Sequence, residues 1–216
     1  MLLIFDCDGV ILDSMPLHTE VESAFYRSRG INITPQELGR RFSGVPLVEE
    51  FKILEQETGR KLPPELEIEI TAMKKDIFAR RLQVVDGIEE VLEKLEDVPR
   101  CIATGMRLGE LDHALNIVNL YSTFAPHLFS SEMVSKGKPF PDLFLHAAQQ
   151  MNQQPKDCLV IEDGVPGVQA GRAAGMRVLG FVGGSHCDDE HGDRLREAGA
   201  DLVFAAMREL PGLIGR

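Results

Sequence analysis

Basic residues are scarce in this 216-residue chain: 23 Lys and Arg stand against 34 Asp and Glu, a formal net charge of −11. The deficit argues against nucleic acid as a partner, because a nucleic-acid surface needs a basic face. It also means that an anionic ligand must be held by a local positive cluster or a metal ion, since the overall field repels it. Long apolar runs are missing too. None reaches the length of a bilayer span, so no membrane partner is expected. The start, Met1-Leu2-Leu3-Ile4-Phe5-Asp6, has neither a positive beginning nor an extended apolar stretch with a cleavage site. That is unlike a signal peptide, and the cytoplasm is the expected compartment. The four cysteines, Cys7, Cys101, Cys158 and Cys187, show no paired or C-x-x-C spacing. They read as free reduced thiols, with Cys101 and Cys158 inside buried strands. Internal repeats and low-complexity segments are absent as well.

What is present is an ordinary apolar content of 44%, in a chain long enough for one good core and a smaller accessory unit. Leu2-Leu3-Ile4-Phe5 is a short continuous apolar run, the pattern of a strand buried on both faces of a parallel sheet. It stops at Asp6-Cys7-Asp8-Gly9, so a polar loop follows the strand. From Pro16 to Arg81 helical periodicity takes over: Leu17, Val21 and Phe25, then Leu47, Phe51 and Leu54, then Leu66, Ile70, Met73 and Ile77. Thr34-Pro35-Gln36-Glu37 reads as an N-cap, a proline at the first helical position and an acidic first turn. Leu62-Pro63-Pro64 separates two of these helices, and no strand is evident in the segment. After Gln83 strands and helices alternate. Strands are expected at 100–104, 127–130, 158–162, 177–182 and 201–204. Helices are expected at 87–95, 107–118, 141–151, 165–174 and 188–198. Alternation of this kind predicts an α/β fold with a doubly wound, Rossmann-like parallel sheet, residues 1–15 and 83–216, into which an all-helical unit, 16–82, is inserted. Ligands of such sheets bind beyond the carboxyl ends of the strands. Asp6 and Asp8, Thr104, and Glu162 and Asp163 all fall at that edge.

Two carboxylates as close as Asp6 and Asp8 do not share one role, because like charges push their proton affinities apart. Nucleophile and general acid/base is one division of labour, and a carboxylate attacking phosphorus gives an acyl phosphate. An acidic turn or a simple cation site is the plainer reading of that string. Ile161-Glu162-Asp163-Gly164 is a second acidic pair at a strand end, suited either to a magnesium ion or to a helix N-cap. In Lys138-Pro139-Phe140-Pro141-Asp142 the prolines stiffen the approach to a helix and hold Lys138 in a rigid turn, from which it can pair with a nucleophile and a phosphoryl oxygen. Lys136 is the bland neighbour. Thr104-Gly105 offers a hydroxyl and a backbone N–H to phosphoryl oxygens, or else an N-cap to the next helix.

Taken together, Asp6-Cys7-Asp8-Gly9-Val10-Ile11-Leu12-Asp13-Ser14, Thr104, Lys138-Pro139-Phe140-Pro141-Asp142 and Glu162-Asp163 resemble the four ordered motifs of the haloacid dehalogenase-like hydrolases. The resemblance spans essentially the whole chain. It implies that Asp6 is the nucleophile. It implies that Asp8 protonates the leaving oxygen, then activates water, and offers its main-chain carbonyl to Mg2+. Asp163 would be a side-chain ligand, with Glu162 a direct or outer partner. Thr104 and Lys138 would hold the phosphoryl group, and residues 16–82 would be the family's helical cap, hinged near Pro16 and Gln83. The branch of the family that lacks the second aspartate acts on haloacids; Asp8 is present here, so phosphate chemistry is implied.

Asp13-Ser14-Met15-Pro16-Leu17-His18 and Phe42-Ser43-Gly44-Val45-Pro46-Leu47 are similar to the beta-phosphoglucomutase and sugar phosphatase branch. Leu47 stands where a mutase carries a basic residue for a second phosphate, and Met106 replaces a polar phosphate-binding residue. These departures favour a phosphatase of a small phosphorylated metabolite, a sugar phosphate or sugar-acid phosphate, acting as a monomer. A phosphomutase and a non-catalytic regulatory module on the same fold are the alternatives. His18, Arg107 and Gly105 are the candidate substrate-binding residues; His18 also reads as a surface histidine of a helix, and Arg107 as a solvated helix start. Ser185-His186-Cys187-Asp188-Asp189-Glu190-His191 is rich in metal-binding side chains but reads as the start of a helix with an acidic first turn. The tail from Pro211 reads as the plain end of the fold.

Overall fold

The computed structural model describes residues 1–42 and 45–216. The chain divides into two compact units, Ser14–Leu82 and Met1–Asp13 with Gln83–Arg216. The first break falls after Asp13 rather than Met15, where Ser14 stands at the N-cap of a helix that begins at Met15.

The inserted unit holds four helices: α1 (Met15–Ser28), α2 (Pro35–Phe42), α3 (Leu47–Thr58) and α4 (Leu66–Arg81). Among its described residues there is no strand. Thr34 Oγ1 accepts the Glu37 N–H at 3.1 Å, the side-chain cap that the sequence pattern calls for. The core joins Phe25 and Tyr26 of α1 to Leu38, Phe51, Leu54 and Ile70. Phe25 stacks on Phe51 with centroids 6.3 Å apart, and Tyr26 meets Phe51 edge-on at 6.2 Å. Burying each such ring stabilises the unit by roughly 1.5–3 kcal/mol. Leu47 packs against this core from its rim. Ser43 and Gly44, part of the 42–47 stretch read from the sequence, lie outside the described residues.

The other unit is built on six parallel strands: β1 (Leu2–Phe5), β2 (Arg100–Thr104), β3 (Leu128–Ser130), β4 (Cys158–Glu162), β5 (Arg177–Phe181) and β6 (Leu202–Phe204), in the spatial order β3-β2-β1-β4-β5-β6. Its helices are α5 (Ile88–Lys94), α6 (Leu108–Ile117), α7 (Tyr121–Phe124), α8 (Asp142–Gln150), α9 (Val165–Ala173), α10 (His191–Glu197) and α11 (Leu210–Leu213). Strand residues alternate between two faces. Leu2, Ile4, Cys101, Ala103, Cys158, Val160 and Val178 pack with Leu143, Phe144 and Ala147 of α8, Val168 and Ala170 of α9, and Leu195 of α10. The alternate residues Leu3, Phe5, Ile102, Leu159, Ile161 and Leu179 are equally buried, and Phe124 of α7 meets Phe5 at 6.1 Å. Both faces are therefore covered, which is why the strands read as continuous apolar runs. Two segments depart from the sequence reading. The helix expected from Asp188 starts only at His191, and the tail folds into α11, with Leu210 and Pro211 buried. Among the described residues no helix is long and apolar enough to cross a membrane.

The helical unit also buries an acid. Glu50 is 2% exposed, and among the described residues its Oε1 has no hydrogen-bond partner. Burial, then the charge of Glu22, pushes its pKa up to about 8, although the neighbouring Tyr26 hydroxyl, Lys74 (2.7 Å from Glu22) and Arg41 oppose the rise. Folding therefore takes up a proton between the ordinary carboxylate pKa near 4.5 and about 8. The contribution is fully present below 4.5 and is lost as pH rises through 8, at up to roughly 1.4 kcal/mol per pH unit. Urea unfolding of wild type and Glu50→Gln from pH 5 to 8 checks this. The variant should gain on wild type as pH rises, and equal slopes for the two proteins would remove Glu50 as the cause.

Candidate active site

Chain order reverses across β1 and β4. From β1 the chain builds outward through β2 and β3, then returns to place β4 on the other side. Loops leaving two such strands diverge and open a crevice at their carboxyl ends. Asp6 is the first residue beyond β1, and its N–H donates to the Ile161 carbonyl of β4 at 2.9 Å. The Cys7 carbonyl then accepts the N–H groups of Ile11 and Leu12, both at 2.9 Å, which curls the loop tightly. Gly9 sits in this curl at φ +78°, and a β-carbon there would overlap Oδ2 of Asp163. Only glycine satisfies both the backbone angle and the close approach. Asp163, the first residue beyond β4, is thus held against the Asp6 loop. Cys7 itself is fully buried, and burial beside Asp8 and Asp6 keeps its thiol protonated, so it fills space.

Lys138 supplies the positive charge. Its Nζ lies 2.7 Å from Asp6 Oδ1 and 3.3 Å from Glu162 Oε2. Lys136 instead places its ammonium 4.6 Å from the Phe140 ring centroid, away from the acids. Burial alone would strip Lys138 of its proton, but Asp6 and Glu162 outweigh that and raise its affinity. Burial pushes the Asp6 pKa up to about 6; Lys138 opposes the rise and Asp163 and Asp8 add to it. Glu162 is driven well above the usual range, first by burial and then by the Asp6 charge. Its carboxylate fills the space over Gly167, where a β-carbon would overlap Oε1.

Thr104 ends β2, buried, and its Oγ1 accepts the Met106 N–H at 3.2 Å. It does not cap α6: Arg107 stands at the N-cap position, exposed, and the Leu108 N–H goes to Glu132 at 2.9 Å. The acidic pair likewise does not cap α9, whose N-cap is Gly164. Two serines missed by sequence reasoning shape this loop. Ser130 Oγ donates to the Met106 carbonyl at 2.5 Å, and Ser131 Oγ to the Gly105 carbonyl at 2.9 Å. A β-carbon on Gly105 would meet nothing within 4 Å, so packing does not require glycine there. His18 belongs to the helical unit, its ring edge-on to Phe78 at 5.0 Å.

The segment set aside as a helix start proves to be part of the cluster. Ser185 Oγ donates to the Asp13 carboxylate at 2.7 Å, which ties the loop after β5 to the end of the Asp6 loop. His186 Nε2 then lies 2.9 Å from Asp163 Oδ2. Burial opposes charge on His186, but the hydrogen bond to Asp163 lifts its pKa to about 10. His191 is buried with Nε2 2.6 Å from the Asp163 carbonyl oxygen. The available signal was the density of histidine and acid in 185–191, at the carboxyl end of a core strand, where ligands gather.

Carboxylate oxygens of Asp6, Glu162 and Asp163 lie within 4.8 Å of one another, with the one ammonium of Lys138 set among them. Three buried carboxylates face one lysine and the His186 imidazole paired with Asp163; burial first, and then repulsion among the acids, raises the proton affinities of Asp6 and Glu162. An all-oxygen donor set of this kind fits Mg2+, which takes one or two carboxylates and keeps several waters.

The model of the haloacid dehalogenase-like hydrolase family matches residues 1–175. The chain is 31% identical to the 6-phosphogluconate phosphatase of Escherichia coli K12, over 98% of this chain and 93% of that protein. It is 33% identical to a phosphorylated carbohydrates phosphatase of Thermotoga maritima, over 92% and 91%. A solved haloacid dehalogenase-like protein of unknown function from Agrobacterium tumefaciens superposes with a TM-score of 0.90 at 38% identity, covering 99% of this chain and 96% of that one.

A cation that binds only the folded cluster stabilises it by about 2.7 kcal/mol at a hundred times its dissociation constant. Thermal unfolding should therefore shift upward with Mg2+ in wild type and stay unmoved in Asp163→Asn. Equal shifts in both proteins would place the ion elsewhere.

Proposed function

The chain belongs to the haloacid dehalogenase-like hydrolases and is a phosphoric monoester hydrolase; from that premise we propose that it is a Mg2+-dependent phosphatase of a small sugar phosphate or sugar-acid phosphate, working through an aspartyl phosphate on Asp6. The observation that carries this reading is the 2.7 Å pairing of Lys138 with Asp6 inside a buried carboxylate cluster. An ammonium in that place keeps the Asp6 carboxylate ionised and facing a phosphoryl group that it also attracts. Asp6 attacks phosphorus as its carboxylate while the P–O bond to the ester oxygen breaks. Asp8 gives that oxygen its proton. Asp8, now a carboxylate, takes a proton from water as the water attacks the aspartyl phosphate, which frees phosphate and restores Asp6. Lys138 and the Thr104 hydroxyl hold the phosphoryl oxygens throughout. Glu162 orients Lys138.

Asp6, Asp163 and the main-chain carbonyl of Asp8 would hold the magnesium ion, with Glu162 beside them. When bound, the ion neutralises phosphoryl charge and brings the dianionic ester to an acidic site. The substrate class is supported by the two phosphatases named above, one named for 6-phosphogluconate and the other for phosphorylated carbohydrates. Hydrolysis is favoured over phosphoryl shuttling within a sugar by Leu47, whose side chain is committed to the apolar core of its own unit. Leu47 itself has no charge to offer a second phosphate.

Phosphate release from a panel of phosphorylated sugars and sugar acids, with and without Mg2+, tests the proposal. Asp6→Asn should lower the rate by about a thousandfold or more while leaving thermal unfolding near that of wild type. Mg2+-dependent release by wild type alone supports it. An isomeric sugar phosphate in place of free phosphate would mean a mutase, and undiminished release by Asp6→Asn would sink the covalent mechanism.

A further inference from the structure

The loop between β5 and α10, with the first residue of α10, carries three donors that the proposed phosphoryl chemistry does not use. His186, Cys187 and His191 present nitrogen and sulfur atoms all within 4.8 Å of one another. The His186 Nε2 to Cys187 Sγ distance is 3.5 Å. Nitrogen at about 2.0 Å and sulfur at about 2.3 Å on one tetrahedral zinc are themselves separated by about 3.5 Å. This pair therefore stands at ligand spacing.

His191 is set up in the same sense. The Asp163 carbonyl, 2.6 Å from Nε2, can only accept, so Nε2 carries the proton and Nδ1 the lone pair. A bond from the distal ring N–H to a backbone carbonyl is the outer contact that metal-bound imidazoles make. Arg194 now satisfies that lone pair at 3.1 Å, but it is a surface side chain also bound to Asp188 at 2.8 Å, so it can turn away at little cost. Cys187 is the one cysteine of the four that is not buried. Thiolate and imidazole donors select zinc-class ions over magnesium.

We propose that His186, Cys187 and His191 form a binding site for a zinc-class divalent ion at the edge of the Asp163 carboxylate. The site is formed by one short loop, tied down at Ser185 through Asp13 and at His191 through the Asp163 backbone. His186 Nε2 serves either Asp163 or the ion, so occupancy withdraws it from the carboxylate it now touches at 2.9 Å.

Titration of the metal-free full-length protein with Co2+, followed by near-ultraviolet absorption, tests the site independently of phosphatase activity. The expected result is a thiolate-to-cobalt charge-transfer band that saturates at one equivalent and is abolished by Zn2+. Cys187→Ser should lose the band, and His191→Gln should weaken Co2+ binding about tenfold or more. His186→Gln provides the same readout if either variant fails to fold by circular dichroism. No band in wild type, or a band of full size in Cys187→Ser, overturns the assignment.

Discussion

A single ammonium ties the acidic centre of this protein together. Lys138 reaches Asp6 and Glu162, both more than nine-tenths buried, and Asp163 lies within the same few ångströms. Carboxylates taken out of water are costly, and a buried pair stripped of one partner is more costly still. The cluster can persist only if every member is held in place, and much of the local architecture does so. Gly9 lets its loop close onto Asp163, Gly167 makes room for Glu162, and the Asp6 N–H is fixed to β4. The cluster offers oxygen donors of the kind a hard cation takes, and a bound cation would draw a phosphate ester that the chain's overall charge repels.

The parallel sheet explains how residues so distant in sequence meet. Every strand points the same way, so each strand end delivers its next residue to one edge. Asp6 follows β1, Thr104 closes β2, Glu162 closes β4, and the loop after β5 brings His186. Both faces of the sheet are sealed by helices, so the edge is where polar groups can gather. The candidate set comes from separate strand ends on a rigid scaffold, which fixes distances that loops alone would leave slack.

The same physics decides what was legible in the sequence. The core strands could be read because burial on both faces demands unbroken apolar runs, and the strands that lead to Asp6 and to Glu162 end where polarity begins. Lys138 could be picked from its proline neighbours, and the structure separates it from Lys136 by pairing the latter with Phe140. Ser130 and Ser131 could not be read, because a serine that holds a loop carbonyl looks like any serine. His186 was misjudged for a clearer reason. Asp188 and Asp189 resemble an acidic first turn, but the helix waits until His191, and the freed residues form a loop that folds back on Asp163. Helix boundaries are set by where backbone partners are found, and Asp188 satisfies the Glu190 N–H from outside the helix.

Asp163 stands at the border of two kinds of donor. On one side are Asp6 and Glu162, hard oxygens beside a lysine; on the other are His186 and Cys187, a nitrogen and a sulfur. Magnesium has little affinity for the second set, and a zinc-class ion prefers it. The two sets do not compete for the same ion by affinity, yet they share a carboxylate. The His186–Asp163 contact is therefore an element with two alternative partners, and whichever ion draws on one side changes what the other side has to bind. That coupling follows from donor chemistry and a 2.9 Å contact alone, and needs no movement of the sheet.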